Sequence, residues 1–415
     1  MVSSDSSSIS EYAQFYSHWG RLLFRFVFVA GILLLAATGV GCDSGSAEST
    51  DPTTLFQKEL DALREEFGFP GATAAYVLSN GRTGVVATGL ADIETETPMR
   101  PSSRMLAASI GKTFVSATIL GLAQEGKLDL DAQVSQWLGD ESWFTRLPNH
   151  DEITIRHLLT HRAGLTNHVD TPEFAAAFAS NWSLPGRPFE PEQLVEFVLD
   201  EPALFVAGEG WSYTDTGYIL LGMIIEAVSE RSYYEEVEDR FLSPLNLALT
   251  SASDRRDLPG LAAGYMSDDN QFRLPAKTLR EDGQMAWHPA VEWTGGGLVS
   301  NSLDLVVWAK ALFEGAAMEG PYLDELLRGE PISSEAPNVR FGAGVAIRDE
   351  GPLGAWYSHS GWIPGYTSSM RYFPERRAAI AFQINTDIGI VDDSTELYGE
   401  MAARLERVIA NVPGD

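Results

Sequence analysis

Ala107-Ala108-Ser109-Ile110-Gly111-Lys112-Thr113, running on through apolar residues to Leu122, is the stretch from which the rest of the chain can be read. The pattern predicts a helix opening near Ser109, on which side chains three apart share one face. Ser109 then stands at a helix N-terminus, where the positive end of the dipole favours developing negative charge. Lys112 faces it from one turn on. Burial against an apolar helix lowers an amine pKa, so Lys112 is expected to accept a proton. A serine nucleophile activated by an amine needs this pair of residues at this spacing. An S-x-x-K spacing also arises by chance between surface residues, so its weight depends on the rest of the chain.

Two more constellations supply that weight. Gly210-Trp211-Ser212-Tyr213-Thr214-Asp215-Thr216-Gly217-Tyr218 precedes the apolar Ile219-Leu220-Leu221-Gly222, and Tyr357-Ser358-His359-Ser360-Gly361-Trp362-Ile363-Pro364-Gly365-Tyr366 has the look of a strand and turn. Alone, Tyr213 reads as a packed core aromatic and His359 as a satisfied structural histidine. Between them lie Leu158-Leu159-Thr160-His161-Arg162-Ala163-Gly164-Leu165 and Gly295-Gly296-Gly297-Leu298-Val299-Ser300, with Asp304 after it. His157 and His161, at i and i+4, invite a zinc reading. Leu158 stands where H-E-x-x-H needs its glutamate, and the sequence offers no evident third ligand, so no metal and no cofactor are expected. His161 is expected to be a hydrogen-bonded structural residue.

These five motifs, in this order and spread over most of residues 55 to 410, resemble the penicillin-recognising serine hydrolases: class C β-lactamases, DD-peptidases and the esterases of the same fold. The resemblance implies acyl-enzyme formation on Ser109. Lys112 and Tyr213 share the proton transfer, with the Tyr213 phenol acidified by the nearby cation. His359 stands in the Lys-Thr-Gly strand motif and supplies a polar or cationic flank. Ser360, Gly361 and Trp362 line the substrate side, the small glycine letting substrate lie against the strand edge. The backbone N–H groups of Trp362 and Ser109 form the oxyanion hole. Asp215 departs from the Asn of β-lactamases and DD-peptidases. A carboxylate only accepts, whereas an amide also donates, which points away from β-lactams and peptides and toward carboxylic esters. The alternatives are a D,D-carboxypeptidase or D-amino-acid peptidase, a β-lactamase, and, from another class, a catalytically silent envelope protein that keeps the fold to bind. The substrate is thus a small ester, amide or peptide; the oligomeric state is left open.

Local patterns agree with an α/β+α architecture, an antiparallel sheet flanked by N- and C-terminal helices with an all-helical lobe, roughly 109–300, inserted. Thr54 with Gln57 predicts a capped helix through Phe67, ended by Gly68 and Pro70. Ala72 to Leu78 and Thr83 to Thr88 predict a hairpin across an Asn-Gly turn. Helical periodicity dominates from Ser109 to Val228. Ala355 to Ser360, Gly365 to Phe373 and Arg377 to Asn385 predict strands, and Asp393 with Glu396 a capped final helix through Ala410.

The 415 residues carry 58 Asp plus Glu against 29 Lys plus Arg, a net charge of −29. Such a surface repels nucleic acid and anionic membrane faces, which excludes both as partners. The lysines are five: Lys58, Lys112, Lys127, Lys277 and Lys310. High acid with scarce lysine also resembles proteins of salt-adapted organisms. The single cysteine, Cys42, rules out an intramolecular disulfide. It ends an apolar run, Phe26 to Val40, that follows Arg21 and Arg25, the pattern of a secretory signal. Gly39-Val40-Gly41-Cys42 resembles a lipobox, which implies a lipidated Cys42 and an exported, membrane-anchored lipoprotein facing the periplasm or cell exterior. The expected division is a signal peptide at 1–41, a flexible tether at 42–53 and a hydrolase domain at 54–415. A plain cleaved signal or an uncleaved anchor fits the same run.

Overall fold

The computed structural model describes residues 51–412. The signal segment, the lipidation candidate Cys42 and nearly all of the tether lie outside the described residues.

Helix α1 (Pro52–Phe67) opens three residues earlier than expected. Its cap is Asp51, whose carboxylate accepts from the Thr54 N–H at 3.1 Å. Asp followed by Pro gives the preferred cap and the preferred first helical residue together, which outcompetes a start at Thr54. The helix ends at Gly68 in the left-handed conformation. The hairpin β1 (Gly71–Val77) and β2 (Thr83–Asp92) follows. Its loop is Ser79-Asn80-Gly81, as expected, closed by the Leu78 N–H on the Arg82 carbonyl at 2.9 Å. Gly81 alone takes positive φ (83°), and its N–H donates to the Leu78 carbonyl at 3.0 Å.

Two short strands, β3 (Thr97–Pro98) and β4 (Met105–Leu106), lead into a long stretch of helices and loops. Its longest helices are α2 (Lys112–Gln124) and α3 (Asp215–Ser229). Strands β5 (Ser251–Ala252) and β6 (Leu298–Ser300) join β4 in a small sheet of order β4-β6-β5, with β6 paired to both. Helix α4 (Ser302–Phe313) then brings the chain back to the main sheet, where the Ser302 hydroxyl bonds that of Thr73 in β1 at 2.7 Å. The remaining strands are β7 (Glu330–Pro331), β8 (Val339–Phe341), β9 (Ala346–Arg348), β10 (Trp356–Ile363), β11 (Tyr366–Phe373) and β12 (Ala378–Ile384). Helix α5 (Leu397–Asn411) closes the described chain. Asp393 does not cap it: Asp393 sits in a left-handed conformation (φ 54°), and the helix starts at Leu397 without a side-chain cap bond.

The main sheet has the order β3-β2-β1-β12-β11-β10-β9-β8-β7, and its ladders are antiparallel. This is the expected α/β architecture. Side chains alternate across it with the strand period of two. Ala72, Ala74, Tyr76, Phe382 and Ile384 face Phe56, Leu60 and Leu63 of α1 and Met401 and Leu405 of α5. Ala75, Val77, Ala379 and Ala381 face the helical side, where the larger core lies. A buried ion pair, Arg371 to Glu406, ties β11 to α5, and the Arg371 guanidinium stacks 4.6 Å from the Trp356 ring.

One asymmetry of the sheet prepares the site. β9 pairs with β10 only at Trp356, Tyr357 and Ser358, whereas β11 pairs with it as far as Ile363. Residues 359–363 therefore have a strand neighbour on one side only.

Candidate active site

Ser109 lies in a tight turn, Ala108–Gly111, that feeds directly into α2. Ala108 takes a left-handed backbone (φ 50°), a conformation that costs a residue with a Cβ about 1–2 kcal/mol. Close packing holds it there. A Cβ on Gly361 would overlap the Ala107 carbonyl and approach Ala108 Cβ at 3.1 Å. A Cβ on Gly296 would lie 2.5 Å from the Ala108 carbonyl carbon. Strand β10 and the glycine-rich loop thus press on the nucleophile turn from two sides, and only glycine permits it. The reading of Gly361 as room for substrate is corrected to this extent: its missing side chain makes room for the main chain beside Ser109.

Lys112, first residue of α2, is fully buried. Its Nζ donates to Ser109 Oγ at 3.1 Å and to the Gly295 carbonyl, and pairs with the carboxylate of Asp215. The Tyr213 ring centroid is 5.0 Å from Nζ. The Tyr213 hydroxyl is shielded from solvent and close enough to Lys112 and Ser109 to feel both, yet forms no well-aligned hydrogen bond with either. Asp215 opens α3 behind its cap Thr214, and its backbone N–H donates to the amide oxygen of Asn167 at 2.8 Å.

Two expectations about this cluster are overturned. Burial pulls the Lys112 amine down, as expected, but the Asp215 carboxylate and then Tyr213 outweigh it, and the pKa ends above the ordinary lysine value. The Tyr213 phenol is pushed up by burial more than the Lys112 cation pulls it down, so it is not acidified. At neutral pH the resting site holds an ammonium and a neutral phenol.

His359, in the middle of β10, is buried. Burial first, and then Lys112, lower its pKa to about 3, so it is a neutral flank and not a cationic one. Its Nδ1 donates to the Ser360 carbonyl at 2.6 Å, which leaves Nε2 as the acceptor, buried without a partner. Ser360 and Trp362 are half-buried on the same strand. His161 accepts from the Thr214 N–H at 3.3 Å and packs 4.2 Å from the Tyr213 ring, a support for that loop. His157 instead joins Thr154 in a helix cap. Among the tryptophans, Trp143 and Trp287 belong to the core, while Trp211 packs on His161 and Phe341 beside the site.

Three site residues escaped the sequence reading. Phe341 of β8 packs against His161, Tyr213 and His359 at once. Asp387 accepts from the Trp362 indole at 3.0 Å. Glu292, just before the glycine-rich loop, is a carboxyl that burial, and to a lesser extent Asp215, push up to about 8 against the pull of Lys112. One of its oxygens is buried without a partner, and the other lies 2.8 Å from where a Gly296 Cβ would stand. Nothing in the local sequence of Glu292 marks it out; it matters because the glycines beside it let the loop approach Ser109.

The profile described as Beta-lactamase matches residues 56–404. Penicillin-binding protein 4* of Bacillus subtilis (strain 168) is 26% identical over 342 residues, covering 79% of this chain and 69% of that protein. Esterase EstB of Burkholderia gladioli is 27% identical over 352 residues, covering 78% of this chain and 84% of that one. Among solved structures, D-amino acid amidase from Ochrobactrum anthropi SV3, complexed with L-phenylalanine amide, superposes with a TM-score of 0.72 at 25% identity, over 87% of this chain and 99% of the other. The D-stereospecific amidohydrolase from Streptomyces sp. gives 0.68 at 26% identity, over 81% and 94%.

Proposed function

Because the chain belongs to the Beta-lactamase family and is a serine hydrolase, we propose that it acts through an acyl-enzyme on Ser109, on carboxylic esters. The observation that carries this reading is the 3.1 Å contact between Ser109 Oγ and a lysine buried with no exposure.

The steps follow from the resting charges. Ser109 Oγ attacks the ester carbonyl and its proton moves to Lys112 as Lys112 passes one to Asp215, the acceptor at the back of the cluster. The carbonyl oxygen becomes an oxyanion held by the backbone N–H groups of Ser109 and Trp362, each such donor contributing on the order of 3 kcal/mol. The intermediate collapses, the C–O bond to the leaving group breaks, and the alcohol leaves with a proton from Lys112, directly or through the Tyr213 hydroxyl, as Lys112 takes back its own from Asp215. Water then repeats the cycle and frees the acid. Neutral His359 lines the site as a hydrogen-bond acceptor.

A second reading, hydrolysis of amino-acid amides or D-peptides, is favoured by one feature. Asp215 puts a carboxylate that is partly open to solvent behind the nucleophile, and a carboxylate is suited to a substrate that carries a free ammonium group. D-amino acid amidase from Ochrobactrum anthropi, a structural relative, is complexed with such a molecule.

Export through the segment 1–41 and lipidation at Cys42 complete the proposal, with the enzyme tethered outside the cytoplasm. Cys42→Ala followed by cell fractionation tests the tether; an unchanged membrane fraction would sink it. Hydrolysis of short-chain p-nitrophenyl esters, with Ser109→Ala alongside, tests the activity. Turnover that disappears in the variant supports Ser109 as the nucleophile; a folded wild type that turns over D-amino-acid amides and no ester moves the second reading ahead.

A further inference from the structure

The free end of β10 is held by a strand on one side only, so contacts beyond the sheet help to fix it. Beyond Ser358 its outer edge is unpaired, and its inner edge follows β11 only to the Ile363–Tyr366 turn. The turn is tight, since Gly365 has φ 88° and a Cβ there would lie 2.7 Å from Thr278.

Asp387 is the anchor. A single carboxylate oxygen, Oδ2, accepts from the Trp362 indole N–H at 3.0 Å and from the Gly365 backbone N–H at 3.1 Å. Trp362 lies before the turn and Gly365 within it, so one oxygen clamps both. Asp387 stands on fixed backbone. The preceding Thr386 donates its hydroxyl to the Tyr265 carbonyl at 2.8 Å, and its carbonyl accepts from the Thr367 hydroxyl at 3.1 Å. The Asp387 carbonyl accepts from the N–H groups of Ile390 and Val391, both at 3.1 Å.

The same strand end touches the nucleophile turn through Gly361. The stretch is therefore fixed at two points, Gly361 against Ala107 and Ala108, and Trp362 against Asp387. Two oxyanion donors on separate elements must converge on one oxygen, and a misplacement of about 1 Å can cost a hundredfold in rate.

We propose that Asp387 is a positioning residue of the oxyanion hole, setting the place of the Trp362 main chain relative to Ser109 by holding the indole and the turn with one oxygen; this rests on the acyl-transfer reading above. The clamp is strongest as a carboxylate, because charged acceptors make the stronger bonds. Burial pushes the Asp387 carboxyl up to about 6, against the two hydrogen bonds that hold it down, and Asp392 on the following turn adds to the upward push. The two donors it holds carry no charge.

The experiment compares Asp387→Ala and Asp387→Asn with the wild type, reading kcat and KM for p-nitrophenyl acetate from pH 5 to 9 and the Trp362 indole ¹⁵N–H resonance, assigned with Trp362→Phe. Alanine is expected to lower kcat about ten- to a hundredfold with KM little changed. Asparagine, whose amide oxygen can accept the same two bonds, restores most of that loss. The wild-type indole resonance shifts with a midpoint near pH 6, and the shift is absent in Asp387→Asn. Wild-type kcat in the alanine variant, an asparagine variant as slow as alanine, or a wild-type indole resonance that does not move between pH 5 and 8 would each overturn the proposal. The indole titration decides even if the alanine variant does not fold. Wild-type protein that hydrolyses no ester while its indole titrates as described separates failure of the hydrolase reading from failure of the clamp.

Discussion

Lys112 and Asp215, each the first residue of its own helix and 103 positions apart in the chain, meet as an ion pair directly behind Ser109. The pairing reverses what burial alone does to the lysine and decides where protons rest before catalysis. In place of an amine that is partly neutral, the site keeps a charged amine with a carboxylate at its back.

Replacing that carboxylate is the most direct probe. In Asp215→Asn the ion pair is gone, the largest influence opposing burial is removed, and the titration of Lys112 is expected to fall from its wild-type position. With only five lysines in the chain, ¹⁵N spectra of the side-chain ammonium groups can follow it individually. The same variant restores the amide that both donates and accepts, so acylation by benzylpenicillin is expected to quicken. A Lys112 signal that titrates as in the wild type, with no gain in acylation, refutes the account.

The buried histidines fix the acid side of stability. His359 and His168, held by burial to about 3 and about 4, and His161, well below its ordinary value, stay neutral when folded. The unfolded chain binds protons at these residues from about pH 6.5 downward, so their contribution is fully present above that pH and is lost as pH falls toward 4 and 3. Melting temperature is expected to drop steadily below pH 6.5; a flat profile from 6.5 to 4.5 contradicts this.

Glu292 acts with the opposite sign. Its folded pKa, raised to about 8, favours the fold below the ordinary glutamate value and withdraws that support as pH rises through 8. Glu292→Gln is therefore expected to melt higher than the wild type at pH 9 and to lose that advantage at pH 4. Equal differences at both pH values exclude the carboxyl as the cause.

The Arg371–Glu406 pair is a test of the sheet's outer face. Removing one partner of a buried pair strands the other charge, at a cost of about 3–5 kcal/mol. Glu406→Ala should show that loss in urea unfolding, and Glu406→Gln a smaller one. A loss under 1 kcal/mol in the alanine variant means the guanidinium finds relief elsewhere.

Gly361→Ala should separate crowding from chemistry. The added methyl collides with the Ala107 carbonyl, so β10 must move off the nucleophile turn, and a fall in kcat of about ten- to a hundredfold is expected. Gly186→Ala, where nothing lies within 4 Å of the added atom, is the matching control. Equal kinetics in the two variants would remove the packing argument.

Much of this molecule was legible in the chain because the signals were local. The hairpin, the three long C-terminal strands and both terminal helices announce themselves by alternation, turn residues and apolar spacing, with errors of a few residues at helix starts such as Pro52 and Leu397. Ser109, Lys112, Tyr213 and His359 were legible through short motifs, and they do converge around one turn. What the sequence could not show depends on partners far away along the chain. The protonation of Lys112 depends on Asp215 through a folded contact. Phe341 lies on a three-residue strand too short to leave a period, and Glu292 and Asp387 gain meaning only from the backbones that pass beside them.

The glycines pressed against Ala107 and Ala108 also limit how this protein can be altered. Gly296 and Gly361 belong to segments 65 residues apart, yet both are fitted to one peptide unit beside Ser109. A segment borrowed from a relative brings a backbone shaped to that relative's own turn. Exchanging the glycine-rich loop or the β10 strand singly should therefore damage activity out of proportion to the residues changed, and exchanging them together with Ala107–Lys112 should recover it, so the three segments form one inheritable unit.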